Sequence, residues 1–157
     1  MITPLGKYQE WTCCVIGEKL SVVRGLIYIL DKPEIEHPQQ LQLVFSNNEK
    51  SVNFKCGKDG SSLELTYIPL QENDLGEYGK EVIIDISHHP LFVHLLEKIL
   101  IEVSLVFSSM ENNYIGVKLV FEGCLSLMIV NIGDEINILD SFPISYEKDE
   151  GIKYYKL

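Results

Sequence analysis

The side chains from which chemistry would have to be built are four histidines, four cysteines and several paired carboxylates. His88, His89 and His94 invite a metal reading. A zinc site on one helix needs an i, i+4 histidine pair plus further ligands elsewhere. His89 and His94 stand five residues apart and would face different sides of a helix, so no metal centre is expected. The carboxylate pairs are Glu72 with Asp74, Asp134 with Glu135, and Asp149 with Glu150. Glycoside hydrolysis needs two carboxylates across a cleft, one with its pKa raised by burial. These pairs lie in polar turn segments and read as solvated surface acids. No Gly-x-Ser-x-Gly elbow occurs. Cys13, Cys14, Cys56 and Cys124 occupy no recognisable nucleophile context and read as small buried hydrophobes. The GKDG run at 57–60 carries Lys58, but it joins strands rather than opening a helix, so it reads as a hairpin turn and not a phosphate loop. The expectation is a protein that is not an enzyme and holds no cofactor.

A different pattern survives. Residues 73–78 (NDLGEY) and 148–154 (KDEGIKY) each mix carboxylates with tyrosine. Tyrosine supplies contact area at low entropic cost, and charge steers encounter. The candidate partner-binding residues are Glu72, Asp74, Glu77, Tyr78, Asp134, Glu135, Glu147, Asp149, Glu150, Tyr154 and Tyr155. Two ordinary surface loops would read the same way.

The elements that must position these groups are mostly strands. Residues 5–16 form a helix with Leu5, Tyr8, Trp11 and Val15 on one face and Gly17 as its stop. Residues 20–30, 41–45, 51–56 and 62–68 read as four strands, with a turn at Asn47, Asn48 and Glu49 and another at 58–60. A polar loop covers 71–81 and a short strand 81–86. The spacing of Phe92, Leu95, Leu96 and Ile99 after Pro90 predicts a second helix over 87–100. Strands follow at 101–107, 115–121, 125–132 and 136–139, and the nearly continuous apolar run at 125–132 implies burial on both faces.

The two halves resemble one another. EKLSVVRGLIY (18–28) lies on EKILIEVSLVF (97–107), LQLVFS (41–46) on VKLVFE (117–122), and NDLG (73–76) on KDEG (148–151). One explanation is an internal duplication of about residues 5–80 and 85–157; the other is that any two antiparallel meanders look alike. The expected fold is α+β, with two antiparallel β-meanders, each preceded by a helix, packed as one pseudo-twofold domain spanning 1–157.

A chain of 157 residues can bury a real core. Its formal net charge of −10 opposes binding to nucleic acid and to anionic lipid, and favours a basic partner. Met1 to Pro4 lacks the start of a signal peptide, and no apolar run approaches the length that spans a bilayer. Cysteines without a disulfide spacing point to a reducing, cytoplasmic setting.

The residues YIGVKLVFEG (114–123), NIGDEINIL (131–139) and DEGIKYY (149–155), in a small acidic helix-plus-meander chain, resemble the immunity proteins of bacterial toxin systems, including contact-dependent growth inhibition. The resemblance implies a binding protein that neutralises a cognate toxin domain, often a nuclease with a basic cleft. The repeated layout also resembles Whirly-type single-strand DNA-binding folds, in fold only, since a basic groove interleaved with aromatics is missing. Two further readings stand beside these. One is a small-molecule or enzymatic pocket between sheet and helix lined by Trp11, His88, His89 and His94; the other is a structural adaptor with no dedicated site. The oligomeric state is left open.

Overall fold

The computed structural model describes residues 3–48 and 52–157. Helix α1 (Pro4–Val15) starts where Thr3 Oγ1 accepts the Gly6 N–H at 3.0 Å and proline fills the first turn, whose N–H needs no partner. It leads into a meander of β1 (Leu20–Ile29), β2 (Gln40–Phe45), β3 (Val52–Cys56) and β4 (Leu63–Thr66). A two-residue strand β5 (Asn73–Asp74) and β6 (Lys80–Asp85) follow. The second meander is β7 (Leu100–Ser108), β8 (Asn113–Phe121), β9 (Leu125–Asn131) and β10 (Ile136–Leu139), then helix α2 (Ile144–Glu150) and β11 (Ile152–Lys156). The fold is α+β, with two antiparallel sheets and two α-helices among the described residues.

The six-stranded sheet runs β4-β3-β2-β1-β6-β5 and the five-stranded sheet β10-β9-β8-β7-β11. Each meander is thus laid out in the same order, with a later strand returning to the outside of its first strand. The first strands meet at their beginnings through a Lys19–Ile99 bridge. The Leu20 N–H donates to Lys98 O at 3.2 Å, and the Leu100 N–H donates to Glu18 O at 2.9 Å. The Ser46 N–H reaches Lys19 O, and the Glu122 N–H reaches Ile99 O. Both first strands also carry a register shift, between Leu20 and Val22 and between Leu100 and Glu102. This relates Leu20 to Leu100, one position off the overlay of 18–28 on 97–107, whereas Ser46 and Glu122 are matched by the overlay of 41–46 on 117–122.

One hydrophobic cluster joins the inner faces of both sheets. It takes Leu43, Phe54 and Leu65 from the first, Leu105, Leu119 and Ile129 from the second, and Tyr8, Trp11 and Val15 from α1. Trp11 packs edge-on against Phe45 and Phe54, and Phe45 stacks on Phe121 with centroids 6.5 Å apart. Strand β9 is buried on both sides, as its apolar run implies: Leu127 and Ile129 enter this cluster, while Met128 and Val130 enter a second one with Val106, Ile115 and Phe142.

Three expectations are corrected. Residues 87–100 are not an α-helix but a series of tight turns with a one-turn 3-10 helix at Val93–Leu95. The Ser87 hydroxyl accepts the Val23 N–H at 2.9 Å, tying the start of the segment to β1, and Glu97 at φ 63° turns the chain out of any helix. Phe92 and Leu95 are fully buried, so they plug the core from a turn rather than from a helical face. The second meander therefore has no α-helix before it. The segment after β10, for which no element is expected from the sequence, forms α2 and an edge strand. Finally, Cys13, Cys14 and Cys124 are exposed, so three of the four cysteines are not buried hydrophobes, while Cys56 is half-buried against the core cluster. The turn position Glu49 and the strand position Ser51 lie outside the described residues.

Candidate functional site

The connection from β4 to β5 must pass from one edge of the six-stranded sheet to the other, because β5 and β6 lie beyond β1. It crosses the outer face. On β3, Val52 and Phe54 face the core, so Asn53 and Lys55 face outward, and the Asn53 amide donates to Ile68 O. Residues 67–72 thus form a strap over the outward row Leu26, Gln40 and Lys55, which are mutual partners across β1, β2 and β3. The strap stands off this row and leaves a cleft of about 770 Å³.

The far wall of the cleft comes from the other sheet. The β9–β10 turn places Gly133, Asp134 and Glu135 there, with Gly133 at φ 64° and Asp134 at φ 63°. The β1–β2 loop holds this turn: His37 Nδ1 lies 3.0 Å from Ile136 O. A carbonyl only accepts, so Nδ1 carries the hydrogen and Nε2 is left for another contact. Glu135 Oε2 is 3.7 Å from the same ring nitrogen. On the strap side, Asn73 Nδ2 donates to Glu81 Oε1 at 2.9 Å and to Gln71 O at 3.3 Å, which fixes the Glu81 carboxylate. Lys55 lines the cleft but is 3.9 Å from Glu64. Burial, then the charges of Asp134 and Glu135, push the Cys56 thiol up to about 11. Its thiolate is therefore scarce at neutral pH, which makes it a poor nucleophile.

The predicted partner-binding residues fall in three places. Glu72, Asp74, Glu77 and Tyr78 sit along the β5 edge of the first sheet. Asp134 and Glu135 sit in the cleft wall. Glu147, Asp149, Glu150, Tyr154 and Tyr155 sit at the β11 edge of the second sheet. The structure brings Asp134 and Glu135 beside the neighbours of the β5 group through the cleft.

Several of these residues have structural work. Glu72 accepts the Ile83 N–H at 2.8 Å, and Asp74 accepts the Gly76 N–H at 2.9 Å. Glu147 accepts the Tyr154 hydroxyl at 2.9 Å, and burial followed by that carboxylate raises the Tyr154 pKa. The Ser108 hydroxyl donates to Glu150 O and lies 3.4 Å from Glu150 Oε2. Tyr154 and Tyr155 point to opposite sides of β11. Tyr154 lies under the Lys118 ammonium, whereas Tyr155 joins Phe107 and Tyr114 in an edge-to-face group. The carboxylates of Glu77, Asp134 and Asp149 have no hydrogen-bond or ion-pair partner among the described residues, and Tyr78 is 70 % exposed.

The pocket expected around Trp11, His88, His89 and His94 does not form. Trp11 is 2 % exposed and enclosed by Phe45 and Phe54, while His88 and His94 are on the surface. No group of three or more metal-capable side chains occurs among the described residues. The cleft residues His37, Gln40, Lys55 and Glu81 carried no signal in the sequence, since they come from four separate elements. No helix of the described residues is long and apolar enough to cross a membrane. No family model matches the chain, and neither a curated protein nor a solved structure matches it significantly.

Proposed function

We propose that this protein is a non-enzymatic inhibitor of the immunity-protein kind, which neutralises a basic toxin domain by presenting an acidic, tyrosine-bearing surface to it. The observation that carries the reading is the set of uncommitted carboxylates, Glu77 in the turn after β5 and Asp134 in the cleft wall above all, in a chain with a net charge of −10. Carboxylates already held by the fold add little to a new contact, whereas free ones can pair with an incoming cation. Tyr78 beside Glu77 offers an exposed ring as an anchor. In this reading the partner is a toxin domain, the protein works in the bacterial cytoplasm, and its charge keeps it from nucleic acid and anionic membranes.

The same proposal extends to the architecture. The two meanders pack about a pseudo-twofold axis near the Lys19–Ile99 bridge and descend from one duplicated unit. The reciprocal hydrogen bonds at that bridge and the shared strand order support it. The acidic segments 73–76 and 148–151 then hold equivalent places, each just ahead of the strand that returns to its meander's first strand.

The test is capture of the partner by tagged protein, at low and at high salt, with wild type and with the Glu77→Lys/Asp134→Lys variant. A stoichiometric basic partner should be retained at low salt, released as the Debye length falls below about 5 Å, and lost in the variant. Asp74 is left intact because its carboxylate caps a turn. Undiminished capture by the charge-reversed protein would remove this surface from consideration.

A further inference from the structure

The cleft under the strap has a more specific chemistry than an acidic surface. Its volume of about 770 Å³ is in the range of ligand sites. Its walls are largely polar, which disfavours an apolar guest: that guest would strip water from amides and carboxylates without replacing their hydrogen bonds. Three carboxylates, Glu81, Asp134 and Glu135, stand on opposite walls, against the ammonium of Lys55, which Glu64 already engages. On the strap, Ile68 and Pro69, both exposed, supply apolar surface to the cleft. An aliphatic chain can lie along such a strip while its charged ends reach the carboxylates. The acids are also positioned in advance, Glu81 by Asn73 and the Glu135 turn by the His37 contact to Ile136 O. Burial raises the pKa of the Cys56 thiol most, and the charges of Asp134 and Glu135 raise it further from the cleft wall.

We infer that this cleft is a binding site for an aliphatic cation, an ammonium or guanidinium group carried on several methylenes, held between Glu81 and the Asp134–Glu135 turn along the Ile68–Pro69 strip. The cation comes from a free polyamine or from a lysine or arginine side chain. The site goes beyond the partner reading and does not depend on it: the cleft can bind a free polyamine if no protein partner exists, and a partner can dock elsewhere if the cleft is empty of function.

The experiment is a titration of the intact chain, followed by 1H–15N NMR, with two probes of equal charge: spermidine and a hexapeptide of alternating arginine and glycine. Saturable shifts confined to residues 39–40, 71–73 and 133–136 are expected with at least one probe. The tighter probe names the source, free polyamine or protein side chain. Glu81→Gln/Glu135→Gln, which keeps the acceptor oxygen that Asn73 uses, should weaken binding about tenfold. Lys55→Gln should tighten it, because it removes the ammonium from the wall. Glu111→Gln/Asp140→Asn removes the same net charge outside the cleft and should leave binding within about twofold. Shifts spread over the whole acidic surface, equal weakening by the two double variants, no tightening in Lys55→Gln, or no saturation with either probe would each overturn the assignment.

Discussion

After its fourth strand each meander sends a segment back across its own sheet, and the two segments treat the face they cross in opposite ways. Residues 67–72 cross a polar face. Beneath them lie Gln42, Asn53 and Thr66, all buried, and the segment is held by polar contacts: Asn53 to Ile68 O, and the Ile68 N–H to Thr66 Oγ1 at 3.2 Å. Residues 140–151 cross an apolar face. Phe142 enters a dry cluster with Val106, Ile115, Met128 and Val130, and Tyr146 stacks on Phe142 at 4.6 Å. The first segment leaves a cleft; the second closes a core. A face finished by dispersion and hydrophobic burial gains most by filling its space, whereas a face finished by directed hydrogen bonds can stand off and admit a ligand.

The sharpest way to break this contrast is truncation on each side. Phe142→Ala empties the centre of the second cluster and should cost about 3 kcal/mol in urea denaturation. Ile68→Ala, at the matching strap of the first sheet, removes a side chain that is 68 % exposed and should change stability by less than about 0.5 kcal/mol. Comparable losses from both would mean that the strap also seals a core.

A second test probes how closely the apolar face is packed. Gly116 of β8 lies opposite Val130, and an added Cβ would come within 2.5 Å of the Ile129 carbonyl and 2.4 Å of a Val130 methyl. Backbone cannot step aside cheaply, so Gly116→Ala should cost about 2 kcal/mol. Gly25 of β1 is the useful contrast. Its nearest obstruction is the Ile27 Cδ1 methyl at 2.7 Å, the far end of a side chain that can rotate. Gly25→Ala should therefore cost less, and the order of the two midpoints in denaturant decides the point.

The difference between the faces also explains what could be read from the chain. The run 125–132 announced a strand buried twice because only Ser126 and Asn131 interrupt its apolar residues, and the second cluster is its consequence. The meanders were legible because alternation and turn residues are local signals. Residues 87–100 misled because Phe92 and Leu95 are three apart, a spacing shared by an α-helical face and by consecutive tight turns. Ser87 bonding to Val23, 64 positions away, decides between them and leaves no trace in local periodicity. β11 was hidden for another reason: Ile-Lys-Tyr-Tyr-Lys is an edge strand whose last four residues are exposed, so no alternation marks it. The candidate cleft was the least legible part. His37 and Ile136 are 99 positions apart, and Glu81 on β6 and Glu135 in the β9–β10 turn come to one cleft only through the packing of the two sheets.

The two third-to-fourth-strand turns carry the same comparison down to single carboxylates. In the first meander Asp59 closes its own turn. Its Oδ1 accepts the Ser62 and Ser61 N–H groups at 2.8 and 3.0 Å, and its Oδ2 accepts Asn113 Nδ2 from the other sheet at 2.9 Å. Those hydrogen bonds, Ser62 foremost, hold its carboxyl at about 2, below the ordinary 3.8. In the second meander Asp134 makes no such bonds among the described residues and stands in the cleft wall. A carboxyl whose folded pKa is depressed contributes stability above its unfolded pKa and loses it as pH falls toward the folded value. Asp59 should thus stabilise the fold at pH 5 and above and cease to do so between about pH 4 and pH 2. The effect is the smallest of those considered, because the group is exposed and screened. Asp59→Asn keeps an acceptor oxygen but loses the charge. The stability gap between wild type and this variant should be open at pH 6 and close through that acid window. Parallel curves would show that Asp59 holds its turn by geometry alone, leaving the two turns alike in charge and different only in what they face.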